Sequence, residues 1–165
     1  MITFESVSTE RIEQLRVLNQ VIFPISYNQS FYHAVLQNSV FCILDHLRTA
    51  NETCIGAICC RRERNGRRDD GLTSGPPDSL YIMTIGILAP YRRLGIGSSL
   101  LSSLITRATD DPTLAYIQLH VQITNTEALA FYAKYGFRVV VRVDGYYRLN
   151  KGVIPPDAYL LRRNV

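Results

Sequence analysis

Residues 80–97 read LYIMTIGILAPYRRLGIG. The first nine are apolar and partly β-branched, which predicts a strand that Pro90 ends. A helix then runs from Gly95 or Gly97 to about Thr109, with Leu100, Leu101, Leu104 and Ile105 on its buried side. Position gives the glycines their meaning: without side chains at Gly95 and Gly97, backbone N–H groups at the helix start can approach an anion. The helix dipole and Arg92 and Arg93 add positive potential there. That arrangement suits a pyrophosphate. It is neither a Walker A loop, since no Lys-Ser/Thr follows, nor GxGxxG, since the glycine spacing fails.

Upstream, residues 2–7 alternate like a short strand, and Ser8 or Thr9 can cap a helix carrying Ile12, Leu15, Leu18 and Ile22 that stops near Pro24. The turn Phe23, Pro24, Ile25, Ser26, Tyr27, Asn28 is rich in large apolar groups and needs something to cover it. A short helix over 30–37 and two strands, 40–47 and 53–61, follow. Residues 62–79 (RERNGRRDDGLTSGPPDS) hold a single leucine and predict a mobile surface loop. Downstream come a strand over 115–123, a helix capped by Asn125 and ended at Gly136, and closing strands over 137–143 and 156–163. The order β α α β β β α β α β β predicts an α/β fold with a mixed central sheet flanked by helices.

At 165 residues the chain is expected to form one domain, 1–165, able to bury roughly 70% of its unfolded surface. Hydrophobic residues at 47% and charged residues at 19% exclude a disordered tail. The net charge of +4 reports arginine clusters rather than a basic face, so a solvated insertion is the favoured reading of the arginines near Arg61, and no direct nucleic acid partner is expected. No segment approaches the ~20 apolar residues of a membrane span. Cys42, Cys54, Cys59 and Cys60 lie without CxxC spacing and read as reduced core thiols of an intracellular protein, and no metal is expected. Cys59 and Cys60 lack a nearby histidine, which disfavours them as nucleophiles. The location expected is the cytoplasm, with the nucleus also open.

On these residues the chain resembles the GNAT superfamily of N-acetyltransferases, whose acetyl-CoA signature Q/R-x-x-G-x-G/A is matched by Arg92, Gly95 and Gly97. It is most similar to the NatE-type (San-like) catalytic subunits of protein N-terminal acetyltransferases through VIFPISYN, LYIMTIGILAPYRRLGIG, LHVQITN, FYAKYGF and the Tyr146-Tyr147 pair. The loop at 62–79 and an insertion at 150–156 depart from that pattern. The resemblance implies a GNAT fold and transfer of acetyl from acetyl-CoA, a cosubstrate, to the free amine of proteins that keep Met1 before a hydrophobic or large residue, by direct attack in a ternary complex. The partners it implies are the N-terminal peptide of nascent or mature proteins, and a large scaffold subunit with a second catalytic subunit in a NatA/NatE-like complex at the ribosome.

Acetyl transfer needs a held thioester, a neutral amine and a proton for the departing thiolate. An α-amino group with a pKa of roughly 8 is already partly neutral at pH 7, so a base need only complete the task. The central strand carries no carboxylate. His120, of a residue type with a pKa near ~6.5, shares a strand face with Tyr116, Gln118 and Gln122, opposite Ile117, Leu119 and Val121. From that pattern a structural histidine and a base are both open.

The resemblance pairs His120 with Tyr81, the two holding a water between themselves and the amine. It places Tyr132 against the CoA sulfur as proton donor, where plain helix packing is the rival. The cofactor set it implies is Ile85, Ile87, Arg92, Arg93, Gly95, Ile96, Gly97, Ser98, Asn125 and Tyr132, with the strand bulged or splayed around 85–87 and Gly86 permitting close approach. The substrate set is Phe23, Pro24, Ile25, Tyr27, Tyr81, Met83, His120, Tyr146 and Tyr147, forming an apolar slot, with loop anchoring the alternative. Lysine side-chain acetylation, or a weakly active CoA-binding subunit, are the other functions that fit.

Overall fold

The computed structural model describes residues 2–23, 27–36, 40–47, 53–64 and 78–165. Its elements are β1 (Ile2–Ser6), α1 (Ile12–Ile22), α2 (Gln29–Leu36), β2 (Val40–Leu47), β3 (Thr53–Glu63), β4 (Asp78–Ile87), a 3-10 turn (Ala89–Tyr91), α3 (Ile96–Thr109), β5 (Leu114–Gln122), α4 (Thr126–Lys134), β6 (Arg138–Val143) and β7 (Ala158–Asn164). This is the order read from the sequence, an α/β fold with a mixed sheet and flanking helices.

Two compact units divide the chain, Met1–Glu63 with Ile82–Asp111, and Arg64–Tyr81 with Pro112–Val165. β4 contributes to both. In the first unit the strands neighbour one another as β1-β2-β3-β4, with β1/β2 and β2/β3 antiparallel. In the second the order is β4-β5-β7-β6. Here β4 and β5 run parallel, as a helical crossover requires, and β5/β7 and β6/β7 are antiparallel.

The first unit closes around Leu15, Ile55, Ile58, Leu100, Leu101 and Leu104, all fully buried. α1 and α2 press Ile12, Leu15, Leu18, Tyr32 and Val35 onto Cys54, Ala57 and Cys59 of β3. The second unit buries Ile117, Leu119 and Val121 of β5, with Tyr132, Phe137, Ala158 and Leu161. The β5 alternation is therefore as the sequence pattern predicts, and it leaves Tyr116, Gln118, His120 and Gln122 half-buried on the other face. α4 ends as expected: Gly136, at φ +81, donates to Ala133 O, and Phe137 donates to Tyr132 O while packing its ring on Tyr132. These are the two bonds and the apolar contact of a Schellman cap.

Three local expectations need correction. Neither Ser8 nor Thr9 caps α1; its N-cap is Arg11, without a side-chain cap, and Arg11 N–H instead donates to the Ser8 carbonyl. The segment expected as a loop over 62–79 is strand at both of its ends. β3 reaches Glu63 because ion pairs support its charged end, Arg61 with Glu63 at 2.8 Å and Arg62 with Asp111 at 2.9 Å. β4 begins at Asp78, with Asp78 and Ser79 buried. Residues 65–77 lie outside the described residues. Finally, Cys59 is disulfide-bonded rather than a reduced thiol; Cys42 stands opposite it in the β2–β3 register.

Candidate active site

The anion cradle in the first unit is built by backbone. Arg93 and Gly95 take left-handed conformations at φ 65 and 82, turning the chain out of the 3-10 turn and into α3. A Cβ on Gly95 would meet nothing within 4 Å, so glycine is needed there for its φ and not for space. Gly95 is the N-cap and offers no side-chain cap. The first intrahelical bond at this end runs from Ser99 N–H to Gly95 O, so the N–H groups of Ile96, Gly97 and Ser98 have no partner within the helix. Arg92 braces the loop, its Nε donating to the Ile87 carbonyl at 3.1 Å. The Ile96 side chain is buried, so that residue can serve a ligand only through its N–H.

Around 85–87 the strand is closely packed on both faces. Met83 packs against the cluster under α1 and α2, while a Cβ on Gly86 would lie 2.9 Å from Ile22 Cγ2 and 3.1 Å from Phe23 Cζ, also on α1. Ile87 points the other way, toward Gly56 and Ile96. The close approach at Gly86 is real, but the approaching groups in the structure are Ile22 and Phe23.

Phe23 ends α1 in extended conformation, its ring edge-on to Tyr27 with centroids 5.8 Å apart. Tyr27 tilts against Phe31 at 4.7 Å, and Phe31 meets Tyr32 edge-on at 5.1 Å. This aromatic ladder packs Phe23 and Tyr27, the described apolar residues of the turn, onto α2. Pro24 and Ile25 lie outside the described residues.

In the second unit Tyr81, His120 and Tyr146 come together from β4, β5 and the segment between β6 and β7. The Tyr81 hydroxyl is 2.9 Å from His120 Nδ1 and 2.8 Å from the Tyr146 hydroxyl. The Tyr146 ring stacks on the imidazole, centroids 4.0 Å apart and planes within 12°. Tyr147 meets Tyr146 edge-on at 4.8 Å, and burial, with the neighbouring Tyr146 second, pushes its phenol up to about 12. The sequence reading treated Tyr146 as slot surface; its hydroxyl bond to a residue 65 positions away left no local trace.

Two residues the sequence reading passed over hold this segment. Asp157 accepts from Gly145 N–H at 2.7 Å and pairs with Arg142 at 2.6 Å; the Gly145 bond, with Arg142, holds its carboxyl below the usual range. Gln122 donates to the carbonyls of Ile154 and Pro155 at 3.2 and 3.0 Å. Tyr147 N–H donates to Pro156 O at 2.7 Å. The 150–156 insertion is thus tied to β5 and to the Tyr146-Tyr147 turn. The Asp144-Gly145 turn signal was the available clue.

Tyr132 is buried, edge-on to Phe131 and Phe137 at 5.2 and 5.4 Å. The Asn125 side chain caps α4 by accepting from Ala128 N–H at 3.1 Å. Ile85 and Ser98 are half-buried, and Arg93 is exposed. Cys60 is fully buried, and desolvation raises its thiol far above the ordinary value. A group held so firmly protonated is no nucleophile.

The acetyltransferase (GNAT) family matches residues 9–137. N-alpha-acetyltransferase 50 of Danio rerio is 41% identical over 161 residues, covering 96% of this chain and 86% of the relative. The probable N-acetyltransferase san of Drosophila melanogaster is 40% identical over 161 residues, covering 96% and 78%. Arabidopsis thaliana Naa50, solved with the bisubstrate analogue CoA-Ac-MVNAL, superposes with a TM-score of 0.81 at 32% identity over 99% of each chain. With the strand–loop–helix cradle and the Tyr81–His120 pair already in place, these likenesses settle the assignment: the chain belongs to the GNAT acetyltransferase family.

Proposed function

We propose that this protein is an acetyl-CoA-dependent N-alpha-acetyltransferase acting on Met-initiated polypeptides, with His120 as base and Tyr81 as its partner. The observation that carries it is the 2.9 Å bond between the Tyr81 hydroxyl and His120 Nδ1, on a strand face the pleat keeps half-buried. The bond suits either neutral tautomer of the ring. With Nδ1 bare, Tyr81 donates to it; with Nδ1 protonated, Tyr81 accepts and Nε2 carries the basic lone pair. Acetyl-CoA fits the cradle through the N–H groups at 96–98, with Arg92 and Arg93 beside them, and supplies the thioester carbonyl the amine attacks. Ile85, Ile87 and Asn125 complete the cofactor contacts in this reading, and Tyr132 supplies the proton the thiolate takes up.

In this reading the first residue of the substrate meets the apolar side chains Phe23, Tyr27 and Met83 of the first unit. Burying a Met side chain there contributes roughly 1.5–3 kcal/mol that Ser or Ala cannot match, a preference of ten- to a hundredfold. The analogue carried by the Arabidopsis relative begins with Met, which supports this choice. A large scaffold and a second catalytic subunit at the ribosome are the partners proposed, and the cytoplasm, with the nucleus, the location.

The test is a peptide panel with purified protein and acetyl-CoA, varying the first two residues beside N-terminally blocked peptides with a free lysine. Met-Leu peptides are expected to be acetylated at the α-amine and blocked peptides to stay unmodified; the reverse overturns the proposal. Phe23→Ala should cut kcat/KM for a Met-Leu peptide about tenfold or more and spare a Ser-initiated one. Gly86→Ala should narrow the same Met/Ser ratio without replacing any of the slot's own side chains, because its Cβ must displace Ile22 or Phe23. Equal effects on both peptides would make the slot structural.

A further inference from the structure

The Tyr81 hydroxyl has one hydrogen and two close partners, His120 Nδ1 at 2.9 Å and the Tyr146 hydroxyl at 2.8 Å. It can donate to one and accept from the other, which lets the three groups act as a directed chain. The chain begins at the imidazole and ends at Tyr146, which is 41% exposed to solvent. The stacked ring and the anchoring of the Tyr146-Tyr147 turn by Asp157 and Pro156 O fix that end in place.

We propose that the Tyr146 hydroxyl is the outlet through which the proton taken by His120 reaches water, a role that rests on His120 being the base. With the imidazole charged, the Nδ1 proton passes to the Tyr81 oxygen, the Tyr81 proton to the Tyr146 oxygen, and the Tyr146 proton to a water molecule. His120 is left neutral, each phenol keeps one hydrogen, and the proton leaves on water. The thiolate takes up one proton by way of Tyr132, so an amine that enters neutral releases no net proton, whereas one that enters as ammonium loses two protons from nitrogen, one matched on the thiol and one released to water. Tyr146 acts through Tyr81 and is in this sense a positioning residue. It also sets the direction of the Tyr81 hydroxyl: when Tyr146 donates inward, Tyr81 donates to Nδ1, and when Tyr81 donates outward, Nδ1–H donates to Tyr81. The titratable groups around Tyr146 are His120 and Tyr81 from the strands, Tyr147 beside it, and Asp157, which holds the preceding Gly145.

Tyr146→Phe keeps the ring, and with it the stack on His120 and the edge contact with Tyr147, and removes only the hydroxyl. The expected result with a Met-Leu peptide at neutral pH is a fall of about tenfold in kcat, with KM for peptide and acetyl-CoA unchanged within twofold. Raising the concentration of a small imidazole buffer should restore most of the loss in the variant and leave the wild type unaffected, because a mobile base can collect the proton that the missing hydroxyl no longer passes on. Wild-type turnover in Tyr146→Phe overturns the outlet, as does a loss seen mainly in peptide KM or one that buffer does not relieve. His120→Ala measured alongside separates the two ideas. Full activity there removes the base itself, whereas a crippled His120→Ala beside an unimpaired Tyr146→Phe removes only the outlet.

Discussion

His120→Ala is expected to lower kcat by about 10²-fold or more at neutral pH while leaving acetyl-CoA affinity unchanged. The size follows from what the chain lacks. Tyr81, Met83, Ile85 and Ile87 of β4 offer no carboxylate, so removing the imidazole leaves a phenol, with an ordinary pKa of ~10, as the remaining proton acceptor beside it. With a pKa of roughly 8, about a tenth of the α-amine is already neutral at pH 7, which limits the loss to the general-base contribution and keeps the variant measurable. Activity of the variant should recover toward alkaline pH, where the amine deprotonates without help. Steady-state kinetics with a Met-Leu peptide across pH, beside calorimetry with acetyl-CoA, checks both parts. Wild-type turnover at pH 7 would take His120 out of the mechanism. Lost turnover together with lost cofactor binding would mean the substitution disturbed the fold instead.

How far the sequence could carry the argument differs from one element to the next, and the differences have physical causes. β5 was legible residue by residue, since Ile117, Leu119 and Val121 bury one face of a period-two strand and His120 is left on the other. α3 was legible because its leucines recur at helical spacing and Gly95 and Gly97 mark the entry. The edges of the 62–79 segment were not. Arg62 and Glu63 look like loop residues until Arg62 is seen to reach Asp111, 49 positions away. The same holds for the site. Tyr81 and His120 could be proposed from strand faces and resemblance, but their direct bond depends on the parallel register that sets Tyr81 against Gln118. Tyr146 joins them only because Asp157 and Gln122 fasten the turn and the insertion around it. Gly86 shows a further limit, since no periodicity tells that Ile22 and Phe23 will crowd the place of its missing Cβ.

The cofactor cradle allows a test in which stability and function should move in opposite directions. Gly97 is the second residue of α3, and glycine inside a helix is about 0.8–1 kcal/mol less favourable than alanine. Replacing it with a large residue should therefore leave the melting temperature unchanged or raise it slightly. The same side chain would stand among the N–H groups of Ile96, Gly97 and Ser98, where a pyrophosphate must come to hydrogen-bond distance, and the helix dipole cannot attract an anion that sterics keep away. Gly97→Trp is accordingly expected to weaken acetyl-CoA binding more than 10²-fold, to no measurable heat by calorimetry, with a circular-dichroism melt like that of the wild type. Gly97→Ala, whose single methyl group intrudes far less, should retain most of the affinity and share the helix benefit. Because Arg92 and Arg93 sit beside the cradle, wild-type affinity should also fall as salt rises, through screening of exposed charge. A Gly97→Trp protein that melts normally and binds acetyl-CoA as tightly as the wild type would show that the pyrophosphate is held elsewhere, and the reading of residues 90–97 as its cradle would have to be abandoned.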